Sequence, residues 1–204
     1  MAKLLLFGFG PFLSYLTNPT KEIVESLNGQ RIGGSDIVGV VLPVEHGKAG
    51  EIAEDYISRE KPDSIVQVGI AGGKGCVSLE RVALNRYYFV GDEGVIDEPV
   101  LKDGPVGYFS TLPLQQIKSS LESNDIPAEY SFWADTYVSN EVFYRVMRAA
   151  GQDTPAGLVH LPISSKQVIE RKAHYMVRSA VPSMDPAMLA KAVRIVVETC
   201  ANME

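Results

Sequence analysis

The sequence predicts a doubly wound α/β fold: one domain, residues 1–204, with a mostly parallel twisted sheet and helices on both faces. Three observations carry that prediction. Apolar runs of strand length alternate with segments of helical period, the pattern of a parallel sheet covered on both sides. The first run, residues 4–7, is apolar throughout, as a strand buried on both faces requires. No repeat, linker or low-complexity tract divides the chain, and 204 residues are within the range of a single core.

Each element has a local reason. The opening strand empties into Gly8-Phe9-Gly10-Pro11-Phe12, read as a loop. Asn18-Pro19-Thr20 opens a helix, because Asn caps free N–H groups and Pro costs nothing in a first turn. Ile23, Val24 and Leu27 give that helix one buried stripe, and Asn28-Gly29 closes it. A second strand is expected over 36–44, a helix over 48–58 and a third strand over 64–68, followed by the glycine-rich loop 69–75. Residues 78–89 read as mostly extended, Gly91-Asp92-Glu93-Gly94 as a turn, and 96–107 as a polar excursion rich in Pro and Gly. The remainder reads as a helix over 114–121, a short strand over 129–133, a helix over 139–150, a last strand over 157–163 and a final amphipathic helix over 186–203.

Composition narrows the function. Hydrophobic residues at 46% and charged residues at 22% are ordinary for a globular protein, and a net charge of −6 without a Lys/Arg cluster argues against nucleic acid as a partner. No apolar run approaches the roughly 20 residues of a membrane span, and Gly8, Gly10 and Pro11 interrupt the N-terminal run too early for a signal peptide. Cys76 and Cys200 have no framework or metal-site spacing, and two free thiols suit a reducing cytoplasm.

Sites in open parallel sheets lie beyond the carboxyl ends of the strands. That rule selects the loops 8–12 and 69–75, the approach to the helix at Ser139, and the end of the strand carrying His160. The 69–75 loop lacks the order of a phosphate-binding loop and precedes an extended segment, so close backbone approach to a small ligand is the better reading of its glycines. Of three histidines, His46 sits beside charged residues as a surface or capping residue, and His174 lies on a solvated face. His160 stands in an apolar strand, where an imidazole is either a satisfied structural group or an acid/base. Ser139 is either a helix cap or a nucleophile at the positive end of a helix dipole. Glu80, two residues into an apolar extended segment, needs a partner, either an arginine or a histidine ring. Spacing alone does not bring the three together.

Taken in order, six motifs resemble the pyroglutamyl peptidase I (pyrrolidone-carboxylate peptidase) family. They are Gly8-Phe9-Gly10-Pro11-Phe12 with Asn18-Pro19-Thr20, Val68-Gly69-Ile70-Ala71-Gly72-Gly73, Ser78-Leu79-Glu80-Arg81-Val82-Ala83-Leu84-Asn85, Tyr108-Phe109-Ser110-Thr111-Leu112-Pro113, Tyr137-Val138-Ser139-Asn140 and Val159-His160-Leu161-Pro162. The resemblance runs from residue 4 to about residue 200. It implies an intracellular, cofactor-free peptidase that removes N-terminal pyroglutamate and assembles as a homodimer or homotetramer. By the same resemblance, Glu80 orients His160, Phe9 and Phe12 clasp the lactam ring, the backbone of Ile70 binds the lactam amide, and Asn140 follows the nucleophile.

The sequence departs from the family at named positions. Ser139 stands where the family has its nucleophilic cysteine, and a hydroxyl must lose its proton as it attacks, whereas a thiol paired with histidine is already partly thiolate. Asp135 stands where glycine is usual. The arginine expected after Asn85 to help stabilise an oxyanion is not at its usual place, with Arg86 as a substitute, and Ile163-Ser164-Ser165 follows the histidine motif where a tyrosine is usual. These changes leave a second expectation open, a homologue that binds a pyroglutamyl-like ligand without efficient turnover.

Overall fold

β1 (Lys3–Phe9) runs through the centre of the molecule, with Leu4, Leu5, Leu6 and Phe7 wholly shielded from water. A computed structural model describes residues 1–12, 15–91, 94–174 and 181–202. Around β1 a seven-stranded sheet assembles in the order β10 (Ala128–Ser131), β5 (Val77–Glu80), β11 (Ala156–Leu161), β4 (Ser64–Ile70), β1, β3 (Ser35–Leu42) and β2 (Arg31–Ile32). β3, β1, β4 and β11 are mutually parallel, whereas β5 pairs antiparallel with β11 and carries β10 parallel beside it. The sheet is thus mostly parallel, as the continuous apolar runs predict, with both edges reversed: β2 runs antiparallel to β3, and the β5–β10 pair antiparallel to β11.

Helices cover both faces. α1 (Pro19–Leu27), α3 (Leu114–Glu122) and α6 (Pro186–Ala201) close one apolar cluster with the even-numbered side chains of β1, among them Leu4 and Leu6. α2 (Lys48–Glu60) and α4 (Val138–Ala150) close the other, with Leu5 and Phe7. Sequestering two such clusters is the main force holding the layers together.

The Asn-Pro-Thr motif acts as expected and does more. Asn18 accepts the N–H of Thr20 at 3.0 Å, while its Nδ2 donates to the carbonyl of Gly10 at 2.9 Å. The Thr20 hydroxyl accepts the N–H of Phe9 at 3.0 Å. The start of α1 therefore buckles the end of β1 and the loop after it into place; Gly8 and Phe9, expected in the loop, still pair in register with β3 and belong to the strand. Gly8 lets the two segments touch: a Cβ there would lie 2.7 Å from Val24 Cγ2 and 2.8 Å from the Thr20 carbonyl oxygen.

Some segments differ from the sequence expectation. The extended stretch 78–89 is divided into β5, β6 (Val82–Leu84) and β7 (Tyr87–Gly91), and β6 pairs with β9 (Gly107–Phe109) in a separate ribbon. The polar excursion begins with a strand, β8 (Gly94–Glu98), which returns antiparallel along β7; all five of its residues are exposed, so no buried alternation marks it. Asp92 and Glu93 of the expected turn lie outside the described residues. α5 (Ser165–His174) is an addition to the expected elements, its apolar pattern being weak because Val168 and Ile169 are its sole large apolar residues. His174 ends it, and its side chain is outside the described residues.

Candidate active site

His160 lies at the carboxyl end of β11, opposite Gly69 of β4 and Ser78 of β5. Because alternate residues of a strand share a face, Ser78 and Glu80 point to the side of the sheet that the imidazole occupies. His160 and Glu80 are 4% and 1% exposed, and Nδ1 lies 2.9 Å from Glu80 Oε1. On the other side, Nε2 lies 3.2 Å from the hydroxyl of Ser139. Gly69 leaves room for the ring, since a Cβ there would fall 2.8 Å from His160 Cδ2 and 3.0 Å from Nε2.

The fold resolves what each residue left open alone. An ionised carboxylate only accepts, so Glu80 fixes the imidazole proton on Nδ1 and leaves Nε2 to accept from Ser139. Glu80 thus partners the histidine, not an arginine. Arg81 turns away, over the rings of Tyr130 and Phe132 at 5.6 and 5.5 Å. Ser139 is not a cap: Tyr137 holds that position without a side-chain hydrogen bond, and Ser139 lies in the first turn of α4. Its hydroxyl is spent on His160. Beneath it, the wholly buried Gln67 donates from Nε2 to the Ser139 carbonyl at 2.8 Å, anchoring the helix start to β4.

Two recesses that share Phe12, Ile70, Tyr137 and Ser139 as lining flank the serine. A small one of about 40 Å³ is walled by Phe9, Phe12, Ile70 and Val138 and reaches Ser139. A wider cleft of about 490 Å³ contains His160, Glu80 and Ser139 and opens between Ile70, Tyr88, Trp133 and Asp135. Phe9, Phe12 and Ile70 therefore stand together beside the serine. Asn140 does not face either recess. Its fully buried side chain accepts the N–H of Leu84 at 2.9 Å and donates to the carbonyls of Leu84 and Arg86 at 3.0 and 2.9 Å. The residue after the serine thus clamps β6 and its exit onto α4, a positioning duty, not ligand contact. Arg86 points away too, pairing with Asp97 across the β7–β8 hairpin at 2.5 Å, and it does not line the cleft.

Asp135 explains its own departure. Its backbone is left-handed, with φ at 64°, a region that glycine enters freely and Asp or Asn tolerate best among the others. Its Oδ1 accepts the following N–H, of Thr136, at 2.7 Å, which holds the bend. The bend is also tied to the hairpin, since the Tyr88 N–H donates to the Thr136 carbonyl at 2.9 Å.

Sequence reasoning missed several residues here. Tyr137 packs its ring 4.8 Å from Phe89 and 6.0 Å from Tyr87, and Tyr87 is stacked 3.7 Å from His46. His46 is not simply a surface residue: its Nδ1 lies 2.7 Å from Glu141 and its Nε2 2.9 Å from Glu98. Partial burial pushes its pKa down, but the hydrogen bonds to Glu98 and Glu141 outweigh it and hold the pKa above the usual value of 6.5. Glu141, wholly buried one residue beyond Asn140, also accepts the Gly47 N–H at 2.9 Å. Nothing but a three-dimensional fold could signal that link, because 95 residues separate His46 from Glu141. Among the described residues, no group of three or more His, Cys, Asp or Glu is arranged to hold a metal ion.

A family model described as pyroglutamyl peptidase matches residues 2–203. The chain belongs to the pyroglutamyl peptidase family. It is 37% identical over 202 residues to the pyrrolidone-carboxylate peptidase of Halalkalibacterium halodurans, covering 96% of this chain and 97% of that one. It is 36% identical to the enzyme of that name from Pyrococcus furiosus, with 96% of both chains covered. A solved pyrrolidone carboxyl peptidase from Pyrococcus furiosus superposes with a TM-score of 0.90 at 35% identity, covering 97% of both chains. Membership of this family agrees with the α/β architecture and makes the chain a hydrolase that acts on peptide ends. No helix among the described residues is long and apolar enough to cross a membrane.

Proposed function

We propose that this protein removes N-terminal pyroglutamate from peptides, with Ser139 as nucleophile, His160 as general base and then acid, and Glu80 as the group that orients and charge-balances the imidazole. The observation that carries the reading is the string Glu80–His160–Ser139, at 2.9 and 3.2 Å, opening onto a cleft. The name shared by its relatives favours turnover over binding without it.

The recess of Phe9, Phe12, Ile70 and Val138 suits a flat, uncharged lactam, which two aromatic faces bind without desolvating a charge. The pyroglutamyl carbonyl then lies over Ser139. As Ser139 Oγ attacks, its proton passes to His160 Nε2 and the carbonyl oxygen becomes an anion. The free N–H groups in the first turn of α4 and the positive end of its dipole stabilise that charge. His160 returns the proton to the leaving amine as the C–N bond breaks, which leaves a pyroglutamyl ester on Ser139. A water that gives its proton to the same imidazole hydrolyses the ester and restores the serine.

Release of a fluorophore from a pyroglutamyl amide tests the reading. Ser139→Ala and His160→Ala are each expected to lose at least about a thousandfold in kcat, with little change in KM. Ser139→Cys is expected to work in the same frame, with its activity abolished by a further His160→Ala change. An undiminished rate in Ser139→Ala would remove the proposed nucleophile. We also read the protein as a cytoplasmic homodimer or homotetramer. The free thiols Cys76 and Cys200 support the compartment, and the exposed apolar side chains Val90, Val95 and Ile96 of the hairpin support self-association; light scattering during gel filtration reads the mass.

A further inference from the structure

The lactam recess holds one end of a substrate, so the chain that follows the scissile bond must lie in the wider cleft, and the charge of that cleft is uneven. Three described carboxylate or ammonium groups line it: Glu80, Lys74 and Asp135. Glu80 is bound to His160 at 2.9 Å, and Lys74 is paired with Glu129 at 2.7 Å. Asp135 alone has no cation beside it among the described residues. It is exposed, on the approach to α4, and its Oδ1 is taken by the Thr136 N–H, so Oδ2 is left for a ligand. Aromatic side chains line the same cleft: Trp133, 60% exposed, Tyr88, 45% exposed, Phe89 and Tyr137. The wall is stiff, because the Thr136 carbonyl accepts from Tyr88 and the rings of Phe89 and Tyr137 are packed 4.8 Å apart.

A fixed carboxylate framed by aromatic faces is a receptor for an organic cation, since the carboxylate supplies an ion pair and the rings supply cation–π attraction. Resting on the pyroglutamyl peptidase reading, we infer that Asp135, together with Trp133 and Tyr88, selects substrates with a basic side chain, Arg or Lys, directly after the pyroglutamyl residue. The residue found where a glycine would serve the backbone equally well, at a left-handed φ of 64°, is thus a specificity-determining residue.

The test compares two nearly isosteric substrates, pyroglutamyl-arginine amide and pyroglutamyl-citrulline amide, by kcat/KM on the intact protein and by calorimetric titration of the Ser139→Ala protein. A partly solvated ion pair with cation–π support predicts a preference of about five- to tenfold for arginine, reduced by added salt. Asp135→Asn keeps both the tolerance for a left-handed backbone and the acceptor for Thr136, and it is expected to bring the ratio close to one, chiefly by lowering kcat/KM for the arginine substrate. A merely structural role for Asp135 would move both substrates together. Equal handling of the two substrates by the parent protein, or an unchanged ratio in Asp135→Asn, overturns the inference and leaves the peptidase reading intact. Failure of the protein to bind or cleave either substrate overturns the peptidase reading, and this inference with it.

Discussion

Replacing Glu80 by Gln separates the chemistry of this site from its stability. The carboxylate is 1% exposed, and of its two oxygens Oε1 meets His160 whereas Oε2 is buried with no hydrogen-bond partner among the described residues. Burying a charge is costly, so the retention of Glu80 beside His160 points to a task other than holding the fold. Glutamine has the same shape but either orientation fails. With its amide NH2 toward Nδ1, the imidazole proton moves to Nε2, which can no longer accept from Ser139. With its carbonyl toward Nδ1, the tautomer survives but the imidazolium formed during attack loses its counter-charge. Isosteric loss of this kind in a Ser–His–carboxylate set is worth about 10³ to 10⁴ in kcat, or about 4–5.5 kcal/mol of barrier. Stability should move the other way, unchanged or higher by up to about 1 kcal/mol, because a desolvated charge has been removed. Initial rates on a pyroglutamyl amide and thermal unfolding of the same samples read both effects. A rate loss below about tenfold, or a large fall in melting temperature, would refute the assignment of Glu80 to the imidazole.

Other outcomes follow from single contacts. Gly69→Ala places a methyl group 3.0 Å or less from the imidazole, and displacing the ring by a few tenths of an ångström is expected to lower kcat by about tenfold to a hundredfold with KM nearly constant, as steady-state kinetics would record. Asn140→Ala leaves the Leu84 N–H and the carbonyls of Leu84 and Arg86 unpaired in the interior, so urea unfolding should show a loss of about 2–4 kcal/mol. His46 holds its proton more tightly in the folded state, so the stability it contributes is full below pH 6.5 and fades as pH rises through its higher folded pKa. His46→Gln should therefore flatten the fall in melting temperature as pH rises above 6.5, and an identical slope in both proteins would remove the Glu98–His46–Glu141 bridge from consideration.

Much of the fold is legible in the amino-acid sequence. The strand at β1, the Asn18 cap and the order of alternating elements follow from periodicity and local chemistry, which neighbouring residues determine. What the sequence conceals is non-local. β5 and β11 run antiparallel, and nothing in Val77–Glu80 records its direction. β8 is exposed along its whole length, so its pairing with β7 is written in backbone hydrogen bonds and not in an apolar face. Glu80, Ser139 and His160 each have an ordinary structural explanation, and in the sequence only the family motifs join them. The aromatic stack from His46 through Tyr87 and Tyr137 to Phe89 leaves no trace in spacing at all. Asp135 is visible as a departure, but its φ of 64° is needed to show why the position favours glycine and where the carboxylate goes.

On the proposed mechanism, an oxygen nucleophile at residue 139, where the family resemblance implies sulfur, changes which part of the frame limits the reaction. A cysteine beside His160 would enter the reaction partly as thiolate, so the imidazole and Glu80 would stabilise an ion pair that exists in the ground state. Serine keeps its proton until attack, and the Glu80–His160 pair must then remove it within the transition state. The demand therefore shifts from charge in the resting enzyme to proton affinity at the moment of bond formation. The geometry answers that demand. Glu80 is buried and fixed at Nδ1, Gln67 ties the Ser139 carbonyl to β4, and Gly69 leaves the ring no lateral obstacle. Each of these helps to hold Nε2 and Oγ 3.2 Å apart. A hydroxyl gains more from such alignment than a thiolate does, because its reactivity exists only while the base is within hydrogen-bond reach. The precision of the Glu80–His160–Ser139 string is thus the property on which an oxygen nucleophile depends.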